Sequence, residues 1–313
     1  MVELYAFPEP YAQGWLPCGI HRIHYEESGN PQGYPVVVVH GGPGSGSNPA
    51  SRRFFDPRFY RVVLFDQRGC GRSTPLGATE DNTLQHLVAD MERLRQYLGV
   101  ERWLVCGGSW GATLALAYAQ AQPEACAGLL LRGIFLGSEE EIRWYLHGLR
   151  RFLPEAWETL SRAVPGDGDL LERCHRAVHG ADEARAVAAA RAWNAYERRA
   201  MSLLDPVSSE PPPDERLLAK AKIQTHYLVN RCFLDEDALI RGTPRISHLP
   251  CTIVQGRLDL VCPPVSALRL HRAWPLAQLT VVEGGGHSAD SPAMGLAMLQ
   301  AAEAFKRRLE FRP

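Results

Sequence analysis

The sequence predicts an α/β fold: a mostly parallel sheet flanked by helices and interrupted by one long all-helical insertion. Apolar runs of strand length alternate with helical patterns in the first and last parts of the chain. That alternation stops between about Ser138 and Arg241, and a glycine-rich serine turn joins one of the strands to a helix. Alternating strands and helices are the signature of a parallel sheet whose crossovers cover both faces. The earliest candidate, Gly19 to Glu26 (GIHRIHYE), alternates in polarity and reads as an antiparallel edge strand. Val36 to Val39 (VVVV), Val62 to Phe65 (VVLF), Leu104 to Cys106, Leu129 to Leu131, Thr252 to Val254 and Leu279 to Val282 are short continuous apolar runs. Such runs suit strands buried on both faces. Helical periodicity falls at Thr83 to Leu98, at Ala112 to Ala121 before Pro123, and at Met294 to Leu309.

After Leu131-Arg132-Gly133-Ile134-Phe135 only helical segments follow, separated by Pro165-Gly166-Asp167-Gly168 and Pro211-Pro212-Pro213, until strands resume at Cys251. This divides the chain into a core of residues 1–136 and 242–313 and an inserted helical cap of residues 137–241. An independent helical domain is the competing reading. It is disfavoured because the sheet elements on either side need each other to complete a core.

Bulk properties exclude several classes. The 313 residues carry a net charge of −1, with 45% hydrophobic and 22% charged residues. No global field favours nucleic acid or an anionic membrane. The opening MVELYAFPEPYAQG lacks the basic and apolar regions of a secretory leader, and no uninterrupted apolar run reaches the roughly 18 residues of a membrane span. A cytoplasmic protein is expected. None of the eight cysteines forms a C-x-x-C pair, so free thiols in a reducing compartment fit best. His21 with His24 and His175 with His179 have spacings a metal could use, but neither pair has a nearby third ligand, so no metal site is assigned.

Gly107-Gly108-Ser109-Trp110-Gly111 lies between the run Trp103-Leu104-Val105-Cys106 and a helix. A G-x-S-x-G at such a turn projects the serine hydroxyl above the sheet, near the positive end of the following helix. A serine nucleophile needs a base and a group to orient that base. Asp259, just past the strand at Cys251, and His287, after three glycines past the strand at Leu279, supply acid and base in the order this turn requires. Both fall at carboxyl ends of strands, where open α/β sheets present their ligands. Asp235 and Asp237 are rival acids without a preceding strand. The oxyanion requires two backbone donors. Gly42 N–H, in His40-Gly41-Gly42-Pro43-Gly44, and Trp110 N–H are the candidates. A phosphate loop is excluded, since the glycines lead to no Gly-Lys-Ser/Thr and no G-x-G-x-x-G.

HGGPG at residues 40–44, DQRGCGRS at 66–73, GGSWG, and the late GRLD and GGGHS together resemble the proline iminopeptidase (prolyl aminopeptidase) family of the α/β-hydrolase fold, over nearly the whole chain. The resemblance implies a cofactor-free serine peptidase that releases N-terminal proline from short peptides through an acyl-enzyme. Ser109, Asp259 and His287 match the family's triad.

An aminopeptidase needs a carboxylate for the substrate amine. Glu197 lies one turn after Trp193, on a stripe continued by Ala200 and Leu204, and its i±4 neighbours offer no ion pair. Trp193-Asn194-Ala195-Tyr196-Glu197 resembles the family segment whose glutamate binds the amine. Ala221-Lys222-Ile223-Gln224-Thr225-His226-Tyr227 resembles a segment that carries a second glutamate, replaced here by Gln224. With Leu217, Ala221 and Leu228 on its face, Gln224 is expected to point inward and to accept a hydrogen bond from the ammonium without charge. Amine binding weakened roughly tenfold follows from the gap between charged and neutral hydrogen bonds. By the same resemblance Arg132, Phe135 and Tyr145 shape the prolyl pocket, Cys262 is a pocket cysteine, and Gly42 offers its carbonyl to the amine. Plain core packing is the alternative for Phe135, Tyr145 and Cys262. Two other readings stay open: a broader aminopeptidase or esterase/amidase, to which Gln224 lends weight, and a non-catalytic binding protein, against which the complete triad argues.

Overall fold

A computed structural model describes residues 4–6, 9–202 and 212–310. Leu204 and Pro211, used above to trace the insertion, lie outside them.

The described residues contain an eight-stranded sheet in the order β1-β2-β4-β3-β5-β6-β7-β8. The strands are β1 (Pro10–Cys18), β2 (His21–Gly29), β3 (Tyr34–Val39), β4 (Tyr60–Phe65), β5 (Trp103–Ser109), β6 (Cys126–Ile134), β7 (Cys251–Gly256) and β8 (Gln278–Val282). From β4 across to β8 every pairing is parallel, whereas β1, β2 and β4 pair antiparallel. The segment expected as an edge strand is therefore interior: β2 pairs on both sides, and β1 forms the edge. Strand β1 escapes a reading of apolar runs because its residues Pro10 to Trp15 alternate between half-buried and exposed.

Parallel strands covered on both faces explain the continuous apolar runs. Val37 and Val39 of β3, Val63 and Phe65 of β4 and Val105 of β5 pack on one face with α1 (Leu84–Tyr97), α2 (Trp110–Ala121) and α9 (Pro264–Ala273). Val36, Val38, Val62, Leu64 and Leu104 point the other way, against Phe54 and Met294, Met298 and Ala302 of α10 (Pro292–Glu310). The period of two along each strand supplies both layers from one run.

Between β6 and β7 lie α3 (Glu139–Arg143), α4 (Pro154–Ala163), α5 (Leu170–Val178), α6 (Glu183–Met201), α7 (Asp214–Val229) and α8 (Ala238–Arg241). Ser138 caps α3 in a reciprocal box with Glu141, whose carboxylate also accepts from Leu136 N–H and from Ser266 of α9. Trp144 donates to the Leu260 carbonyl at 2.7 Å. The start of the insertion is thus tied to the loop that carries Asp259. Near its end, Gln120 of α2 donates to the Leu239 carbonyl in α8. Among the described residues no helix is long and apolar enough to cross a membrane. The eight cysteines are buried and form no disulfide.

Candidate active site

Strand β5 ends at Ser109 and α2 begins at the next residue, so the chain reverses in one step. Ser109 has φ 58° and ψ −127°, a positive φ that costs a non-glycine residue about 1–3 kcal/mol. Two glycines make the reversal sterically possible. A Cβ on Gly107 would lie 2.2 Å from the Gly111 carbonyl oxygen, and one on Gly111 would lie 2.2 Å from that of Val39. The spacing of G-x-S-x-G is therefore a packing requirement of helix on sheet.

Asp259 and His287 follow β7 and β8 and are almost fully buried. His287 Nδ1 lies 2.9 and 2.8 Å from the two carboxylate oxygens of Asp259. Backbone N–H groups of Val261 and Cys262 donate to the same carboxylate at 3.0 and 2.8 Å. Gln255 adds a longer contact of 3.4 Å. The acid is held mainly by its own loop. Gly133 (φ 52°) passes beside the pair, and a Cβ there would lie 3.2 Å from Asp259 and 3.3 Å from the His287 ring. Arg132 borders the cavity, but its guanidinium lies against Gly108 and donates to the His287 carbonyl, bracing the His287 loop against the strand that ends at Ser109.

The Ser109 hydroxyl and the Cys262 thiol are 3.8 Å apart, their one mutual hydrogen-bond contact, and Ser109 makes no bond to His287 in this geometry. Serine–base contacts commonly tighten only when substrate binds. Burial, and then the Asp259 charge, push the Cys262 thiol well above its ordinary value, so it stays protonated beside the serine.

The loop after β3 is ordered by a side chain that the sequence reading assigned no role. Gln67 donates through its backbone N–H to His40 Nε2 at 3.0 Å and through its amide to the His40 carbonyl at 2.8 Å. Its remaining oxygen accepts from the Trp110 indole at 2.8 Å. Because His40 Nε2 accepts, the proton sits on Nδ1 and is donated to the Gly41 carbonyl at 2.9 Å. Burial pushes His40 below its ordinary value, which keeps it in this neutral tautomer. Carbonyl and N–H of one trans peptide point opposite ways, so fixing the Gly41 carbonyl also fixes the Gly42 N–H. The conspicuous DQRGCGRS motif contained this bridge, but only the fold shows what it connects.

Across a cavity of about 370 Å³ lie α6 and α7. Glu197, Tyr145, Phe135 and Gln224 line it together with Ser109 and His287. Trp193, one turn before Glu197, is buried, and so is Tyr196. Two expectations are corrected here. Gln224 does point inward, but its carbonyl oxygen accepts from the Trp193 indole at 2.8 Å and is not offered to the cavity. Its amide nitrogen donates to Glu197 Oε1 at 3.0 Å and to the Gly42 carbonyl at 3.2 Å. An indole only donates, while a carboxylate and a carbonyl only accept, so the orientation of this amide is fixed by its partners. Glu197 also has an ion pair that local spacing could not reveal: Lys220 Nζ lies 2.5 Å from Oε2. Lys220 stands one turn before Gln224 on α7, and that i−4 relation was the available signal. The buried Tyr145 hydroxyl has no hydrogen-bond partner, and burial followed by the Glu197 charge raises its pKa well above the ordinary value.

The remaining candidates lie away from the cavity. Asp237 pairs with Arg269 at 2.7 Å, and the Asp235 backbone carbonyl accepts from Ala238. His21 contacts the Glu80 carbonyl at 2.8 Å, and His175 and His179 contact Thr225 and the Lys222 carbonyl. Among the described residues no group of three or more His, Cys, Asp or Glu side chains could hold a metal ion.

A serine elbow, an acid–histidine pair and a glycine loop at the carboxyl ends of one mostly parallel sheet define an α/β-hydrolase, and the family model for the alpha/beta hydrolase fold matches residues 34–289. The solved structure of a proline iminopeptidase from Mycobacterium smegmatis superposes with a TM-score of 0.65 at 22% identity, covering 95% of this chain and 98% of that one. Sequence similarity is closer within one branch. The chain is 48% identical to a proline iminopeptidase of Xanthomonas citri, covering 97% of this chain and all (100%) of that one. It is 45% identical to a proline iminopeptidase of Arabidopsis thaliana, covering 97% of this chain and 82% of that one. The chain belongs to the proline iminopeptidase family.

Proposed function

We propose that this chain is a serine aminopeptidase that releases N-terminal proline from short peptides through an acyl-enzyme intermediate. The observation that carries the reading is the placement of a carboxylate, Glu197, on the same cavity as Ser109 and His287. The names of its relatives support the same activity. Ser109 attacks the prolyl carbonyl while His287 takes its proton, and Asp259 orients the imidazole and stabilises its charged form. Backbone N–H groups of Gly42 and Trp110 face the developing oxyanion. His287 then protonates the leaving amine, and water hydrolyses the acyl-enzyme by the reverse proton path. Glu197 receives the substrate's ammonium. Gln224 is a positioning residue that joins Glu197 to Trp193 and to the Gly42 carbonyl. Phe135 and Tyr145 border the proline ring, Cys262 packs against Ser109, and Arg132 braces the His287 loop.

The helices within residues 137–241 act as a cap that admits short, flexible N-termini, over a catalytic core of residues 1–136 and 242–313. Eight unpaired cysteines suit a cytoplasmic setting. A second reading, a broader aminopeptidase or esterase/amidase, is favoured by one observation: Lys220 already balances the Glu197 charge. Comparing a prolyl arylamide with its N-acetyl form separates the two readings. The aminopeptidase reading expects the free amine to be cleaved roughly ten to a hundred times better, the range given by one charge-assisted hydrogen bond. Equal rates would overturn it.

A further inference from the structure

We infer that Lys220 is a specificity-determining residue, a built-in competitor for the substrate's ammonium at Glu197. The inference rests on the reading of Glu197 as the amine's partner and concerns how that site is tuned. Both carboxylate oxygens of Glu197 are engaged, Oε1 by the Gln224 amide at 3.0 Å and Oε2 by Lys220 Nζ at 2.5 Å. The Glu197 side chain retains 12% of its exposure and that of Lys220 25%, so water screens this pair incompletely. Gln224 also donates to the Gly42 carbonyl, so it ties Glu197 to the glycine loop after β3.

Glu197 thus already faces one ammonium, that of Lys220, and one neutral amide, that of Gln224. An arriving ammonium meets a carboxylate whose charge is already partly balanced, and it brings a second cation next to the first. It binds by exchange, with the Lys220 side chain swinging off on its flexible four-carbon stem. The cost of that exchange is paid only by substrates that carry the amine. An acyl group of the same shape without the nitrogen leaves the Glu197–Lys220 pair intact. Lys220 therefore lowers the enzyme's preference for a free amine without touching the reacting atoms.

The test compares the nitrophenyl esters of proline and of cyclopentanecarboxylic acid, which differ at the ring nitrogen, on the wild type, Lys220→Met and Lys220→Arg. Thermal melting confirms that each variant is folded. The readout is the KM for the prolyl ester divided by that for the cyclopentanecarboxyl ester. Lys220→Met is expected to lower this ratio about fivefold, the size of one partly screened ion pair. Lys220→Arg, which keeps the charge, is expected to hold the wild-type ratio. A ratio that stays constant or rises in Lys220→Met, while the wild type still prefers the prolyl ester, overturns the competition and leaves the aminopeptidase reading standing. A wild type and Lys220→Met that both treat the two esters alike overturn the inference and that reading together.

Discussion

The two walls of the cavity are built differently. On the sheet side, Ser109, Asp259 and His287 sit at strand ends, and most of what orients them is backbone or glycine: N–H groups on Asp259, close packing at Gly107, Gly111 and Gly133. On the helical side, Glu197 is defined by side chains from a second helix, Lys220 and Gln224, and through Gln224 by Trp193. Backbone partners cannot be exchanged by substitution, whereas side-chain partners can. On the proposed function, the chemistry is thus fixed by the fold, and the recognition of the substrate is adjustable at a few helical positions.

Substitutions on the sheet side are expected to be the most severe. Ser109→Ala should lower kcat for a prolyl arylamide by at least about 10⁴-fold while leaving the melting temperature near the wild-type value. A retained rate would remove Ser109 as the nucleophile. Gly133→Val places a branched side chain at a positive φ, against Asp259 and His287. It should cost about 2 kcal/mol of stability in denaturant titration and reduce kcat more than it changes KM. A normal kcat would mean that the acid–base pair tolerates displacement.

Helical-side changes should act mainly on KM. Gln224→Glu keeps an acceptor for the Trp193 indole, removes the amide donor from Glu197 and the Gly42 carbonyl, and adds a negative charge. KM for a prolyl arylamide should fall about tenfold, one charge-assisted hydrogen bond's worth, with kcat little altered. An unchanged KM would show that charge at this position is irrelevant to amine binding.

The smallest effect concerns pH. Burial, then neighbouring His175, depress His179 in the helical insertion from 6.5 to about 4. A histidine held neutral in the fold contributes stability above its unfolded value, and this is lost as the pH falls from 6.5 toward 4. Melting temperature should drop over that window, and the drop should be shallower in His179→Gln. His40 is lowered by burial in the same direction. Since its neutral form positions the Gly41–Gly42 peptide, kcat should fall on the acid side as well.

How much of this could be read in the sequence follows the same division. Ser109, Asp259 and His287 each announce themselves by a strand, a tight turn and glycines, because local backbone geometry demands those residue types. The sheet was legible where strands form apolar runs, β8 at the far edge included, and β1 was not, because its residues Pro10 to Trp15 alternate between half-buried and exposed. On the helical side Glu197 and Gln224 could be placed on inward faces. Their partners could not, since Lys220 meets Glu197 from another helix, and the Gln224 carbonyl turns to the Trp193 indole on the preceding helix, 31 residues away in sequence. Gln67 was missed for the same reason: it acts by joining His40 to Trp110, which lie far apart in the chain.

The central claim, that the sheet side performs the reaction and the helical side selects the amine, is tested most directly by Glu197→Gln. This near-isosteric change should reduce kcat/KM for a prolyl arylamide by roughly ten- to a hundredfold, mostly through KM. The same variant should hydrolyse a nitrophenyl ester without an amine at a rate within about twofold of the wild type, because the change leaves the transition-state contacts in place. Equal losses on both substrates would contradict the account, placing Glu197 in the catalytic machinery.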